Sequence, residues 1–389
     1  MDTLLQKLFA QTELVPESAD LALIGSLSAR HVNLGTARIT AAAQDPSCSP
    51  IVDAALHWAQ KNVGKGSNRK LVAMRAVERL SVEFARAIAE RIQGYVTVEL
   101  DARLAYQKRA TIDKAREQVQ QLEELGVSKE RVIVKLPATL EGLEAAQVLR
   151  AKSDIRCQMT FVFGVHQVAA SADAGAHSIA PPVGRISDWH KQNGGAATGH
   201  DDPGVLAVWS MRDYLRTYSY DTFVMPCTFR GIEQVLALAG IEAMSLPSAL
   251  IDELRSRHDD LPPLSSRIAE AQEVRERLTV DAATFNRLHA ADPIASSKLQ
   301  EGVRNLGFAA VSQQQQLGDW IAKRQDAGAE SALLAYFQVW DYDGDGYIDR
   351  EEWNGTEIVF NALDRDKDGR ISVDELALGL GAPPRAQEP

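Results

Sequence analysis

The sequence predicts an α/β chain folded as a (β/α)8 barrel and followed by a small all-α EF-hand module, on three observations. Strand-like and helix-like stretches alternate from about residue 95 to residue 255 with no hairpin signal. That order builds a parallel sheet, and over this length a closed barrel is favoured over an open one. A length of 389 residues suits one barrel of ~250 residues or more with a short appendage. The net charge of −11 is concentrated, because residues 331–389 carry 13 acidic against 5 basic side chains. The divisions expected are a barrel over 1–325, a linker over 326–331 around Asp326-Ala-Gly-Ala329, an EF-hand pair over 332–382 and a flexible tail over 383–389.

In chain order, Leu4, Leu5, Leu8 and Phe9 form the apolar stripe of a short helix. Leu21–Ile24 and His31–Leu34 are apolar runs bounded by Gly25 and Gly35, and either can be strand or not. A helical stretch runs from about Pro50 to Arg91, broken by the loop 64–68. Strands are then expected at 95–100, 132–136, 157–163, 178–180, 222–225 and 242–246. Helices are expected between and after them at 112–125, 140–151, 166–174, 205–218, 230–238 and 248–255, with more over 263–325.

Several function classes fall away. No basic patch with interleaved aromatics points to nucleic acid, and no Gly-x-Gly-x-x-Gly or P-loop follows an early strand. The N-terminus is too polar for a signal peptide and no apolar run approaches ~18 residues, so a soluble, cytoplasmic protein without a membrane partner is expected. Cys48, Cys157 and Cys227 are too far apart for a metal or redox pair and read as reduced core thiols. The chain is expected to be a monomer or a homodimer.

One stretch carries chemistry. In Arg131-Val-Ile-Val-Lys135-Leu-Pro137, a β-branched run suited to a doubly buried strand ends on a lone lysine. An ammonium there loses hydration, so its pKa is expected to fall and free an amine able to form a Schiff base; a lysine reaching out to solvent fits the same spacing. Glu99 ends the strand before Lys135 and Thr160 lies in the strand after it. The C-terminal ends of barrel strands converge on one mouth, which can bring amine, acid/base and hydroxyl together. Arg185 and Arg230 follow later strands and can hold a sugar phosphate through paired hydrogen bonds.

The acidic tail holds a second pattern. Asp341, Asp343, Asp345, Asp349 and Glu352 occupy positions 1, 3, 5, 9 and 12 of a loop with Gly346 at position 6, and Asp364, Asp366, Asp368, Ser372 and Glu375 repeat it around Gly369. Ca2+ takes six to eight hard oxygens, glycine permits the sharp turn, and the last glutamate closes the shell. The backbone carbonyls of Tyr347 and Arg370 add one ligand each, with Asp349 and Ser372 acting through water. Only eleven residues separate the loops, which predicts abbreviated helices about a turn at Asn354-Gly355 and a compact rather than an opening module. Leu333, Leu334, Phe337 and Trp340 give the incoming helix its apolar stripe.

Taken in order, Thr97-Val-Glu99-Leu-Asp101-Ala-Arg-Leu104, Ile133-Val-Lys135-Leu-Pro-Ala-Thr139, Pro182-Val-Gly-Arg185-Ile-Ser-Asp-Trp189, Asp202-Pro-Gly-Val205 and Leu236-Ala-Leu-Ala-Gly240 resemble the successive signatures of the transaldolases. The resemblance covers roughly residues 40–320. It implies a (β/α)8 barrel that needs no cofactor for its aldol chemistry and, in the pentose phosphate pathway, transfers a dihydroxyacetone unit between sugar phosphates such as sedoheptulose 7-phosphate and glyceraldehyde 3-phosphate. By the same resemblance Lys135 is the Schiff-base lysine, Glu99 the acid/base acting through a water, and Thr160 that water's positioner, with Arg185 and Arg230 on phosphate. The chain departs from the family at the first two strands, where Glu17 stands at a family Asp and Gly35 at a family Asn, with Asn33 the nearest substitute for binding the ketose. Ala180 and Pro182 replace a Ser and an aromatic residue. Two other readings stay open at this point: a barrel that binds sugar phosphate or calcium without turnover, as scaffold or regulator, and an aldolase that releases free dihydroxyacetone.

Overall fold

The structure, a computed structural model, describes residues 2–63, 69–195, 198–261, 276–341, 343–353 and 356–379. Loop 64–68, the turn at Asn354-Gly355, the tail 383–389 and the side chains of Leu333 and Leu334 lie outside what is described. The chain divides into two compact units, one of Met1–Gly66 with Met74–Gln315 and one of Ser67–Ala73 with Gln316–Pro389.

The first unit is a nearly closed barrel of eight parallel strands. They are β1 (Glu13–Glu17), β2 (Val32–Leu34), β3 (Val96–Glu99), β4 (Val132–Pro137), β5 (Arg156–Thr160), β6 (Ser178–Ala180), β7 (Phe223–Val224) and β8 (Ala243–Pro247). The order β7-β6-β5-β4-β3-β2-β1-β8 is sequential around the ring, with β1 paired to β8 over five residues. Pro226 removes the donor that would prolong β7, so that strand is two residues long. The ring closes instead through a backbone bond, the Ser245 N–H donating to the Pro226 carbonyl at 2.9 Å. Val132, Ile133, Val134, Val96 and Val98 are fully buried, as expected of strands covered on both faces.

Differences from the sequence reading have local causes. β1 holds a single β-branched residue, Val15, followed directly by Pro16, so neither propensity nor periodicity reveals it. Of the two runs that the sequence leaves open, the second contains β2, and the first lies in the helix Leu21–Leu27, which Asp20 caps by accepting from the N–H groups of Ala22 and Leu23. Helices Ala282–Ala291 and Pro293–Trp340 fill the later region, and residues 326–331 lie within the second of these. A single glycine costs a helix only ~1 kcal/mol, too little to break one among good helix formers. No described helix is long and apolar enough to cross a membrane.

Opposite the C-terminal mouth, the N-terminal ends of the strands pack a ring of aromatics. His31 Nε2 meets Thr97 Oγ1 at 2.6 Å, and His31, Tyr95, His177 and Phe223 follow one another edge to face or tilted. Burial, with a smaller push from His177, lowers His31 to about 3; burial, with Arg156 and Arg150, lowers His177 to about 4. Both are therefore neutral in the folded barrel. Their folded pKa lies below the unfolded value of ~6.5, so the unfolded chain binds protons first and stability is lost as pH falls from ~6.5 toward 3. Thermal unfolding followed from pH 8 to pH 4 is expected to hold a plateau above ~6.5 and drop steeply below it; a flat profile to pH 4 contradicts this account.

The second unit contains two acidic loops joined by a short antiparallel bridge, β9 (Tyr347–Ile348) against β10 (Ile371–Ser372). Phe337, Ile348, Phe360, Leu363, Ile371 and Leu376 form its core, with Trp340 and Trp353 packed against it. Helix Glu357–Leu363 leads into the second loop and Val373–Gly379 leaves it. Residues 350–352 form only a turn after the first loop, in keeping with the abbreviated helices expected.

Candidate functional site

The parallel register of β3, β4 and β5 decides which side chains meet at the mouth. Glu99 is the direct neighbour of Lys135, and Thr160 is the neighbour of Pro137, one step further out. Lys135 Nζ lies 3.6 Å from Glu99 Oε1, an ion pair whose side chains are 17% and 15% exposed. Glu99 Oε2 receives the N–H of Thr36 at 3.4 Å, at the start of helix Thr36–Ala43, where the free amides and the helix dipole favour a carboxylate. Lys135, Glu99, Thr160 and Arg185 line one cavity of about 190 Å3, together with Glu17, Gly35, Arg38, Asp101, Cys227 and Thr228. Leu306, Ala309, Ala310 and Gln313 of helix Pro293–Trp340 form one further wall.

The electrostatics correct one expectation. Burial is the strongest single influence on Lys135 and pulls its pKa down, but the carboxylates of Glu99 and Glu17, with a contribution from Cys227, outweigh it and hold the value above that of an ordinary lysine. Lys135 is thus an ammonium in the free protein. It becomes a nucleophile by giving up a proton inside the site, and Glu99 is the adjacent acceptor. Cys227 is no rival nucleophile, since burial pushes its thiol up despite the opposing effect of Lys135.

Arg185, in the first turn of helix Val183–Gln192, carries its guanidinium 5.2 Å above the ring of Phe161, and no ion pair among the described residues engages it. It keeps its charge available to an anion. Arg230 is placed differently. Its guanidinium holds Asp188 Oδ2 at 2.7 and 3.0 Å, and it lines a separate cavity of about 600 Å3 with Lys191, Asp202 and Gln234. Asn33 is buried in the barrel interior below the mouth, donating to Ser245 Oγ at 2.6 Å, and does not line the Lys135 cavity. The side-chain oxygens of Asn33 and of Gln158, the β5 neighbour of Lys135, are buried with no partner among the described residues.

Residues that sequence reasoning passed over are Arg38, Cys227 and Thr228. Cys227 is a free, buried thiol as expected, and it also follows β7 at the mouth, a position that the Cys227-Thr-Phe-Arg230 stretch signals once the strand end is known.

In the second unit the carboxylates of Asp341, Asp343 and Asp345 converge to within 4.8 Å of one another, as do those of Asp364, Asp366 and Asp368. The position-12 glutamates turn inward. Glu352 accepts from the N–H groups of Asp343 and Asp349, and Glu375 from those of Arg365, Asp366 and Ser372. Asp364 Oδ1 is buried and has no partner among the described residues, as expected of an oxygen aimed at a cation. The loops curve through Gly344, Gly346 and Gly369 at φ of 73°, 86° and 88°, a conformation that glycine adopts without strain.

Comparison with known proteins gives a consistent result. Residues 40–317 match the family described as transaldolase/fructose-6-phosphate aldolase, and residues 335–355 and 356–379 each match an EF hand. A protein of Thermosynechococcus vestitus named transaldolase is 39% identical over 382 residues, 97% of each chain. One of Synechocystis sp., also named transaldolase, is 39% identical over 387 residues, again 97% of each. A transaldolase of Methylococcus capsulatus is 38% identical over 326 residues, 83% of this chain but 99% of its own.

Proposed function

Because the chain belongs to the transaldolase/fructose-6-phosphate aldolase family, we propose that it is a transaldolase carrying a three-carbon ketone unit on Lys135. The observation that carries this reading is the Lys135–Glu99 pair at the end of a buried strand, in a cavity that also presents Thr160 and Arg185. Arg185 binds the phosphate of the donor ketose. Lys135 passes a proton to Glu99 and its amine adds to the C2 carbonyl; the carbinolamine then loses water, with Glu99 returning a proton to the departing hydroxyl through a water held by Thr160. Glu17 takes the C4 hydroxyl proton as the C3–C4 bond breaks, leaving an aldose phosphate and an enamine on Lys135. The enamine attacks the aldehyde of a second aldose phosphate while Glu17 returns its proton to the aldehyde oxygen, and hydrolysis of the new imine releases the product ketose and restores Lys135. The donors are fructose 6-phosphate and sedoheptulose 7-phosphate, as in the pentose phosphate pathway. Arg230 reaches a substrate only by leaving Asp188, and Asn33, bonded to Ser245 below the cavity, does not reach one in this arrangement.

The test is transfer. With fructose 6-phosphate as donor and erythrose 4-phosphate as acceptor, the expected product is sedoheptulose 7-phosphate. Release of free dihydroxyacetone at the same rate with or without the acceptor contradicts transfer in favour of simple aldol cleavage.

We further propose that both C-terminal loops bind Ca2+. The converging carboxylates and the orphaned Asp364 Oδ1 fit a hard divalent cation. Asp341, Asp343, Asp345, the Tyr347 carbonyl and Glu352 hold it in the first loop, and Asp364, Asp366, Asp368, the Arg370 carbonyl and Glu375 in the second, with Asp349 and Ser372 acting through water. Neither loop supplies a group that the aldol chemistry needs.

A further inference from the structure

We propose that Arg38 is a positioning residue, which through its ion pair with Glu17 fixes the carboxylate that takes the C4 proton and balances the charge around Lys135. The proposal rests on the transaldolase reading above. Glu17 ends β1 and Arg38 sits in the first turn of helix Thr36–Ala43, which follows β2 directly. Arg38 Nε lies 3.9 Å from Glu17 Oε1, a charge contact longer than a hydrogen bond, and both side chains line the Lys135 cavity. The same helical turn donates the Thr36 N–H to Glu99. One turn of one helix therefore holds both carboxylates that flank the lysine.

Two physical arguments give Arg38 work to do. A glutamate has one more rotatable bond than the aspartate it replaces, so it samples more positions unless a partner selects one. Arg38 is that partner among the described ion pairs of Glu17. The second argument is charge. Glu17 and Glu99 face a single ammonium, Lys135, while Asp101 is engaged by Arg103 at 2.8 and 2.9 Å. Without Arg38 the cluster carries an uncompensated negative charge that holds the Lys135 proton in place. With it, Glu17, Glu99, Lys135 and Arg38 sum to zero, and Arg185 remains as the net positive charge for a phosphate.

Topology separates the two arginines. β2 and β6 stand four strands apart in a ring of eight, so Arg38 and Arg185 enter the mouth from opposite sides, with Lys135 on β4 between them. A ketose whose phosphate lies on Arg185 presents no second phosphate to Arg38. Losing Arg38 is thus expected to affect kcat rather than KM for the ketose phosphate.

The experiment is the pH dependence of transfer for the wild type, Arg38→Met, Arg38→Lys, Glu17→Gln and the double variant Arg38→Met/Glu17→Gln. Arg38→Gln replaces Arg38→Met if the latter does not fold. Arg38→Met is expected to lower kcat about 10-fold or more, with KM within about twofold, and to move the acid limb of the profile to higher pH. Arg38→Lys restores most of both. In the Glu17→Gln background the change at Arg38 costs little further, because the two act as one pair. A pH profile unmoved by Arg38→Met, a rise in KM alone, or an undiminished effect in the Glu17→Gln background overturns the proposal. A wild-type protein that transfers nothing overturns the transaldolase reading itself, a failure seen before any variant is compared.

Discussion

Lys135→Met is expected to lower transfer by at least ~10^3-fold while leaving the protein folded, because no other described residue lining the cavity carries an amine able to form an imine. Cys227 shares the cavity, but its thiol is held protonated by burial. Methionine keeps the length and apolar stem of lysine in a strand whose neighbours, Val134 and Leu136, are buried. The loss will appear in kcat, with ketose-phosphate binding largely retained through Arg185, and circular dichroism will show an intact barrel. A variant with a tenth of wild-type turnover and the same products would remove the imine from the mechanism. Raising the pH does not rescue Lys135→Met, whereas it helps the wild type, whose ammonium is held above its ordinary pKa by Glu99 and Glu17.

The second large effect is in the C-terminal unit. Ca2+ at a hundredfold excess over its dissociation constant is expected to stabilise that unit by ~2.7 kcal/mol for each occupied loop, and calorimetry is expected to register two sites. Glu352→Gln together with Glu375→Gln removes the carboxylate that closes each shell and should weaken uptake at both loops by tenfold or more. These glutamates accept hydrogen bonds from their own loops. Glu375 is itself shifted: burial raises its pKa, but the hydrogen bonds from Ser372, Asp366 and Arg365 outweigh this and hold it below the ordinary glutamate value. The carboxylate is thus ionised and ready for a cation at neutral pH. Uptake unchanged in the double variant contradicts the assignment of these ligands.

The acidic loops were legible in the sequence because their geometry is local: twelve consecutive residues contain both the turn and the ligands. The barrel was legible for a related reason, since each strand and helix announces itself by its own periodicity and a run of such units permits few topologies. β1 escaped because its single β-branched residue, Val15, is followed directly by Pro16, and the helix at 326–331 escaped because Gly328 suggests a break that its neighbours override. Lys135, Glu99, Thr160 and Arg185 came together as expected because each follows or ends a strand, so the barrel itself delivers them to one mouth. Arg230 and Asn33 depend instead on partners, Asp188 and Ser245, that no spacing in the sequence identifies. The direction of the Lys135 pKa failed for the same reason. Burial was visible in the β-branched run, but the field of Glu17, 118 positions away in the chain, is a property of the folded ring.

The claim on which the rest depends is the imine on Lys135. Incubating the protein with fructose 6-phosphate, reducing with borohydride and mapping the modified peptide tests it directly. The account predicts irreversible inactivation, with the reduced three-carbon adduct on Lys135 and none in Lys135→Met. Activity that survives reduction, or a label on any other lysine, contradicts it.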